Sequence, residues 1–274
     1  MRAQHAEPDL SCYSRDGFAF PVDIMTPDEA HAYRRRFEVI EARYGRLELK
    51  IKIYLVLGLA DELVHHPVIL DAVEQIIGPD ILVWDADFII KDAHDARYVS
   101  WHQDLTYWGL EPNDEVTAWF AFSPSTVENG CMRFAPGTHK GGIAPHVDTF
   151  ASKNILSRGQ EIALDVDESS AIDVVLEPGQ ISLHDGKLIH ASRPNQTGER
   201  RIGLAIRYIP AHVRPVADQG DSAMLVRGVD RHGHFDPEPR PGADFEPSQL
   251  VLQTAIEERR MAVLFQGAEP STTC

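Results

Sequence analysis

The sequence predicts a mainly β domain with flanking α-helices, an antiparallel sandwich or barrel, on three observations. From about residue 81 onward, short apolar or alternating runs recur, and Gly, Pro and Asn turn signals such as Glu128-Asn129-Gly130 and Glu177-Pro178-Gly179 separate them. Helix signatures are concentrated before and after this region. The length of 274 residues suits one such domain.

Thr26-Pro27-Asp28-Glu29 has the marks of a helix start: a capping threonine, proline in the first turn and glutamate three residues after the cap. That helix is predicted to run to Tyr44 and stop at Gly45. A second begins near Pro67, where Val68, Ile69, Ala72, Val73, Ile76 and Ile77 form an apolar stripe ending at Gly78-Pro79. Strands are predicted over 81–84, 87–91, 98–104, 116–122, 131–135, 173–176, 180–184 and 201–209. A Pro-, Gly- and Asp-rich stretch, 213–247, reads as an ordered loop, and a last helix covers 248–260. The expected organisation is one domain, 1–274: a helical part (1–80), a β core (81–212) and an extension (213–274) that could serve as a lid.

The chain carries 42 acidic and 26 basic side chains, a formal net charge of −16. Such a balance opposes general binding to nucleic acid or to anionic membranes, which depend on many Lys and Arg contacts. No run of about 18 apolar residues suggests a membrane span. The first residues, MRAQHAEPDL, lack the apolar core of a signal peptide, and Cys12, Cys131 and Cys274 imply no disulfide framework. A cytoplasmic location is expected.

The strongest local signal is Ser100-Trp101-His102-Gln103-Asp104. On a strand, His102 and Asp104 would share a face about 6–7 Å apart, within reach of one metal ion. An imidazole and a carboxylate suit iron(II), and a second histidine would complete a facial triad with open positions. Two candidates lie further on, His184 and His190, and spacing does not choose between them. Trp101, Tyr107 and Trp108 around the pair point to a partly buried pocket.

In order along the chain, the block His102–Tyr107 (HQDLTY), Asn129-Gly130-Cys131, Pro136-Gly137-Thr138-His139-Lys140, and Leu188-Ile189-His190-Ala191-Ser192 with Arg201 eleven positions after His190 resemble the phytanoyl-CoA dioxygenase family. The resemblance implies a double-stranded β-helix (jelly-roll, cupin-like) core and iron(II)/2-oxoglutarate oxygenase chemistry: O2 is consumed, succinate and CO2 are released, and a C–H bond of a small molecule is hydroxylated. It selects His190 as the third ligand and leaves His184 behind it. It makes Arg201 the partner of the keto acid's far carboxylate, a role suited to a fork that stays charged when buried. Ser192 would assist, Trp119 would line that pocket, and Gln103 and Lys52 are further candidates. Relatives that halogenate carry Gly or Ala in place of the carboxylate ligand, so Asp104 implies hydroxylation or a related oxidation. Asp87, Thr106, Tyr107 and Trp108 are candidate substrate contacts, as is Arg227 in the extension. The competing readings are a jelly-roll binding protein without catalysis and a cupin-type metal enzyme that uses no keto acid.

Overall fold

A computed structural model describes residues 9–48, 50–216 and 220–265. Most of the MRAQHAEPDL segment, and Cys274, lie outside them. A short helix, α1 (Tyr13–Asp16), leads into strand β1 (Phe18–Asp23), then helices α2 (Pro27–Tyr44), α3 (Gly58–Val64) and α4 (Pro67–Ile77). Strands β2 (Ile81–Lys91), β3 (Val99–His102), β4 (Leu110–Glu111), β5 (Val116–Ala121) and β6 (Met132–Phe134) follow. Next come β7 (His146–Asp148), β8 (Gln160–Ile162), β9 (Ile172–Val174), β10 (Gln180–Asp185), β11 (His190–Ser192) and β12 (Arg201–Pro210). The last described elements are β13 (Arg214–Pro215), β14 (Ser222–Arg227), β15 (Asp236–Pro237) and helix α5 (Pro247–Leu264).

A seven-stranded sheet, in the order β1-β10-β5-β12-β2-β14-β15, faces a four-stranded sheet, β3-β11-β6-β9. This is the jelly-roll core with flanking helices that the sequence led us to expect. Alternation along the large sheet divides its side chains cleanly. Phe88, Phe120, Leu183, Ile202, Leu204 and Ile206 turn outward and pack with Phe37 of α2, Leu63 of α3 and Ile69 of α4. Trp119, Ala121 and Ala205 turn inward and meet Met132, Phe134 and Val174 of the small sheet. Both faces of the large sheet are therefore buried, and its strands read as continuous apolar runs.

The helix predictions hold closely. Thr26 caps α2 with a reciprocal capping box to Glu29, and Gly45 closes it at φ 85°. Three other details differ. The segment before residue 80 contributes β1 to the edge of the large sheet, where Pro21 costs no ladder hydrogen bond. The predicted pair of strands over 81–84 and 87–91 is one continuous strand. The 213–247 stretch is not all loop, since β14 pairs with β2.

Phe37 is fully buried, with its ring 4.9 Å from Phe88 and 5.6 Å from Phe122, and it ties α2 to the sheet. Phe37→Ala should lower unfolding free energy by about 3–5 kcal/mol, read from the denaturant midpoint. A cost under about 1 kcal/mol would mean that α2 does not need this anchor.

Candidate active site

His102 ends β3, and His190 begins β11 directly opposite it in the antiparallel register. Asp104 does not continue the strand as the spacing suggested; it opens a 3-10 turn, Asp104–Thr106. The turn still returns its carboxylate to the histidines, with Oδ1 3.3 Å from His102 Nε2 and 3.9 Å from His190 Nε2. One donor atom from each residue lies within 4.8 Å of the others. Contraction to about 3 Å between donors, as bonds near 2.1 Å require, asks only for small side-chain shifts.

The histidine tautomers suit a metal as well. His190 Nδ1 lies 2.9 Å from the Leu188 carbonyl, and His102 Nδ1 lies 2.9 Å from Ser100 O and 3.0 Å from His190 O. Each Nδ1 therefore carries the proton it donates, and each Nε2 presents a lone pair toward Asp104. Burial, reinforced by His102, holds the His190 imidazole well below its usual range, so it stays neutral. Burial opposes ionisation of Asp104, but the imidazoles of His102, His184 and His190 around it outweigh that and keep it a carboxylate. The three side chains fit a divalent cation with faces left open. His184 lies behind them: its Nε2 is 3.9 Å from Asp104 Oδ2, and its ring packs on His190 and Phe134.

These residues line one inner cavity of about 240 Å³. At one end Arg201, 1% exposed, points inward from β12 with its guanidinium 5.3 Å from the Trp119 ring. Trp119 leans over Gly203, where an added Cβ would fall 1.9 Å from the indole. Ser192 of β11 also lines this end. Arg201 donates to the carbonyl of Gly130, a residue at φ 76° whose close approach to the Arg193 carbonyl leaves no room for a Cβ. That accounts for the glycine in the Asn129-Gly130-Cys131 motif.

The other end is lined by charges in pairs. Asp87, a candidate substrate contact, is buried and accepts from Arg207 at 2.7 Å. Asp85 is reached by Arg260 of α5 at 3.0 Å and by Arg207 at 3.5 Å. Burial works to neutralise Asp85, yet Arg260, Arg207 and Lys52 outweigh it and hold it at about 2. Arg260 stacks on Trp84 at 3.9 Å, and Arg207 lies 5.2 Å from the Trp108 ring. Tyr107 also lines the cavity; its hydroxyl donates to Asp148, and Arg158 lies over its ring while donating to the Leu264 carbonyl of α5.

Several predicted residues lie elsewhere. Gln103 is buried but braces loops, donating to the Lys187 and Gly142 carbonyls and accepting from the Ala144 amide. Lys52 is fully buried among the Trp84 and Ser222 carbonyls and Glu238, outside the cavity. The Thr106 hydroxyl donates to the Gln103 carbonyl and is absent from the cavity wall. Arg227 is held by Asp71 and Glu74, each at 2.7 Å, so it is not a cavity residue. The extension contributes to the wall both through Pro215, Gly220 and Asp221 of the 213–247 stretch and through the end of α5. Lys91, Asp85 and Arg260 were overlooked. Strand parity places Asp85, Asp87, Ile89 and Lys91 on one face, and the spacing Gln249, Gln253, Ile256, Arg260 marks the inner stripe of α5.

A double-stranded β-helix with two histidines and a carboxylate converging at its inner cavity defines the cupin-like class of non-haem metal proteins. Within that class, the chain belongs to the phytanoyl-CoA dioxygenase (PhyH) family, whose pattern matches residues 13–203. It is 33% identical over 124 residues to a phytanoyl-CoA dioxygenase domain-containing protein 1 homolog of Dictyostelium discoideum, covering 44% of each chain. A probable alpha-ketoglutarate-dependent hypophosphite dioxygenase of Stutzerimonas stutzeri is 29% identical over 61% of this chain and 60% of its own. The chain thus matches about half the length of these curated relatives. Among solved structures, the non-heme monooxygenase ThoJ in its apo form superposes with a TM-score of 0.79 at 40% identity, over 93% of this chain and 97% of that one. A nickel complex of ThoJ gives 0.75 at 37% identity, over 94% and 99%.

No described helix is long and apolar enough to cross a membrane. Arg260→Ala should uncover Trp84 and remove a cation–π contact, lowering stability by about 1 kcal/mol and shifting tryptophan emission to the red. An unchanged spectrum would show that α5 does not seal this end.

Proposed function

We propose that this protein is an iron(II)- and 2-oxoglutarate-dependent dioxygenase that hydroxylates a C–H bond of a small molecule, with O2 as oxidant and succinate and CO2 as coproducts. One observation carries the reading: a two-histidine, one-carboxylate cluster and a buried arginine without a carboxylate partner among the described residues line one cavity. Similarity to a probable alpha-ketoglutarate-dependent hypophosphite dioxygenase supports the cosubstrate, and similarity to the nickel-bound non-heme monooxygenase supports the metal.

His102, Asp104 and His190 would hold the iron, which supplies the oxidising chemistry once the keto acid and O2 are bound. The chain's own contribution is positional. The backbone carbonyls behind both histidines fix their tautomers, so the ligands are in place before metal arrives. Arg201 would take the far carboxylate of 2-oxoglutarate, with Ser192 beside it and Trp119 as the wall. Asp104 occupies the position a halide would need, which favours hydroxylation over halogenation. The end of α5 closes the cavity and excludes water from the reacting centre. Substrate would lie between the metal and α5, against Tyr107, Trp108 and the Asp87–Arg207 pair. Unpaired Cys12 and Cys131 suit a reducing compartment, and we assign the protein to the cytoplasm.

Iron(II) with 2-oxoglutarate under anaerobic conditions should give the weak visible charge-transfer band of the chelate, and admission of air should release succinate. His102→Ala should abolish the band. Arg201→Ala should weaken 2-oxoglutarate binding by roughly a hundredfold while leaving iron affinity intact. If wild type shows no band, or Arg201→Ala binds the keto acid normally, the proposal fails.

A further inference from the structure

Behind the arginine that the keto acid would meet sits a second buried basic side chain. Lys91 of β2 and Arg201 of β12 are direct partners in the strand register, so both point into the same interior. Lys91 is 0% exposed, and among the described residues no carboxylate hydrogen-bonds to either side chain. The groups facing Lys91 are Arg201 from β12, Cys131 before β6, and Asp95 and Arg97 from the turn after β2. Of these, Asp95 is already engaged by Arg97 at 2.6 Å.

The Lys91 nitrogen has three neighbours: the Ser192 hydroxyl at 2.7 Å, the Gly130 carbonyl at 3.4 Å and the Arg193 carbonyl. Two of the three can only accept. An amine would donate its two N–H groups to those carbonyls and present its lone pair to Ser192, whose O–H must then point at the lysine. An ammonium would donate to all three, and the Ser192 O–H would turn toward the cavity, beside Arg201. Burial first, and Arg201 next to it, lower Lys91 to about 6, so the amine prevails at neutral pH while the site holds no anion.

We propose that Lys91 is a positioning residue for the cosubstrate: when the far carboxylate of a dicarboxylic keto acid reaches Arg201, one proton passes from solvent to Lys91 and turns the Ser192 hydroxyl onto that carboxylate. The proposal rests on the keto-acid reading of the cavity. Only the orientation of a hydroxyl and the charge of an amine change, and the balancing proton comes from water or buffer. Because binding raises the proton affinity of Lys91, 2-oxoglutarate affinity should fall as pH rises above about 6, by at most tenfold per unit.

The test titrates anaerobic, iron(II)-loaded protein with 2-oxoglutarate by calorimetry in two buffers of different ionisation enthalpy, with the visible band as a second measure of binding. Wild type should take up close to one more proton per keto acid bound than Lys91→Arg or Lys91→Met, a difference that cancels proton exchange at the iron. Lys91→Met should bind roughly ten- to a hundredfold more weakly at neutral pH. Lys91→Arg, permanently charged, should keep most of the affinity and lose its pH slope. Equal proton uptake in wild type and Lys91→Arg would overturn the proposal even if Lys91→Met failed to fold, and so would a wild-type affinity flat from about pH 6.5 to about pH 8. No binding by wild type at all would sink the keto-acid reading and this inference with it, whereas normal binding indifferent to Lys91 sinks the inference alone.

Discussion

The site depends on the two-residue alternation of β2 and β12 at the centre of the large sheet. Both strands send apolar side chains outward under the helices, and that burial fixes their register, because a slip of one residue would turn the whole set onto the cavity face and the charges under the helices. The inward positions are then fixed too, and there the charges collect: Asp85, Asp87 and Lys91 on β2, Arg201 and Arg207 on β12. The hydrophobic contacts on one face thus hold the polar constellation on the other. The small sheet supplies the opposite wall, with His102 and His190 paired across two of its strands.

Inward-facing charges are costly to bury, and the molecule treats its two ends differently. At the α5 end, each cation meets a carboxylate: Arg207 with Asp87, Arg260 with Asp85. Such pairs roughly offset their own desolvation and mainly fix geometry. At the other end Arg201 and Lys91 have backbone carbonyls and a hydroxyl for company. The first end is electrostatically complete without a ligand, and the second is short of one anion.

Much of this could be read from the residues. Capping signals marked α2 and α4 to within a residue, because a cap is a local device and needs no tertiary partner. His102 and Asp104 were visible as a pair, although the strand stops at His102 and a turn does the rest. The choice of His190 over His184 came from resemblance, since both lie buried near Asp104 and only tertiary distance separates them. Long side chains were the hard part. Lys52 and Arg227 have the chemistry of site residues, but neighbours distant in sequence, Glu238 for one and Asp71 and Glu74 for the other, hold them elsewhere. Lys91 could have been found by extending the parity of Asp85 and Asp87 by two more steps.

The family match stops at residue 203, yet the cavity wall includes Arg260, Met261 and Leu264. Two stretches of polypeptide far apart in sequence therefore meet over one chamber: one that carries His102, Asp104, His190 and Arg201, and a terminal one that closes the far side. Substitutions in α5 would reshape the chamber without touching the two histidines, the carboxylate or the buried arginine at its other end.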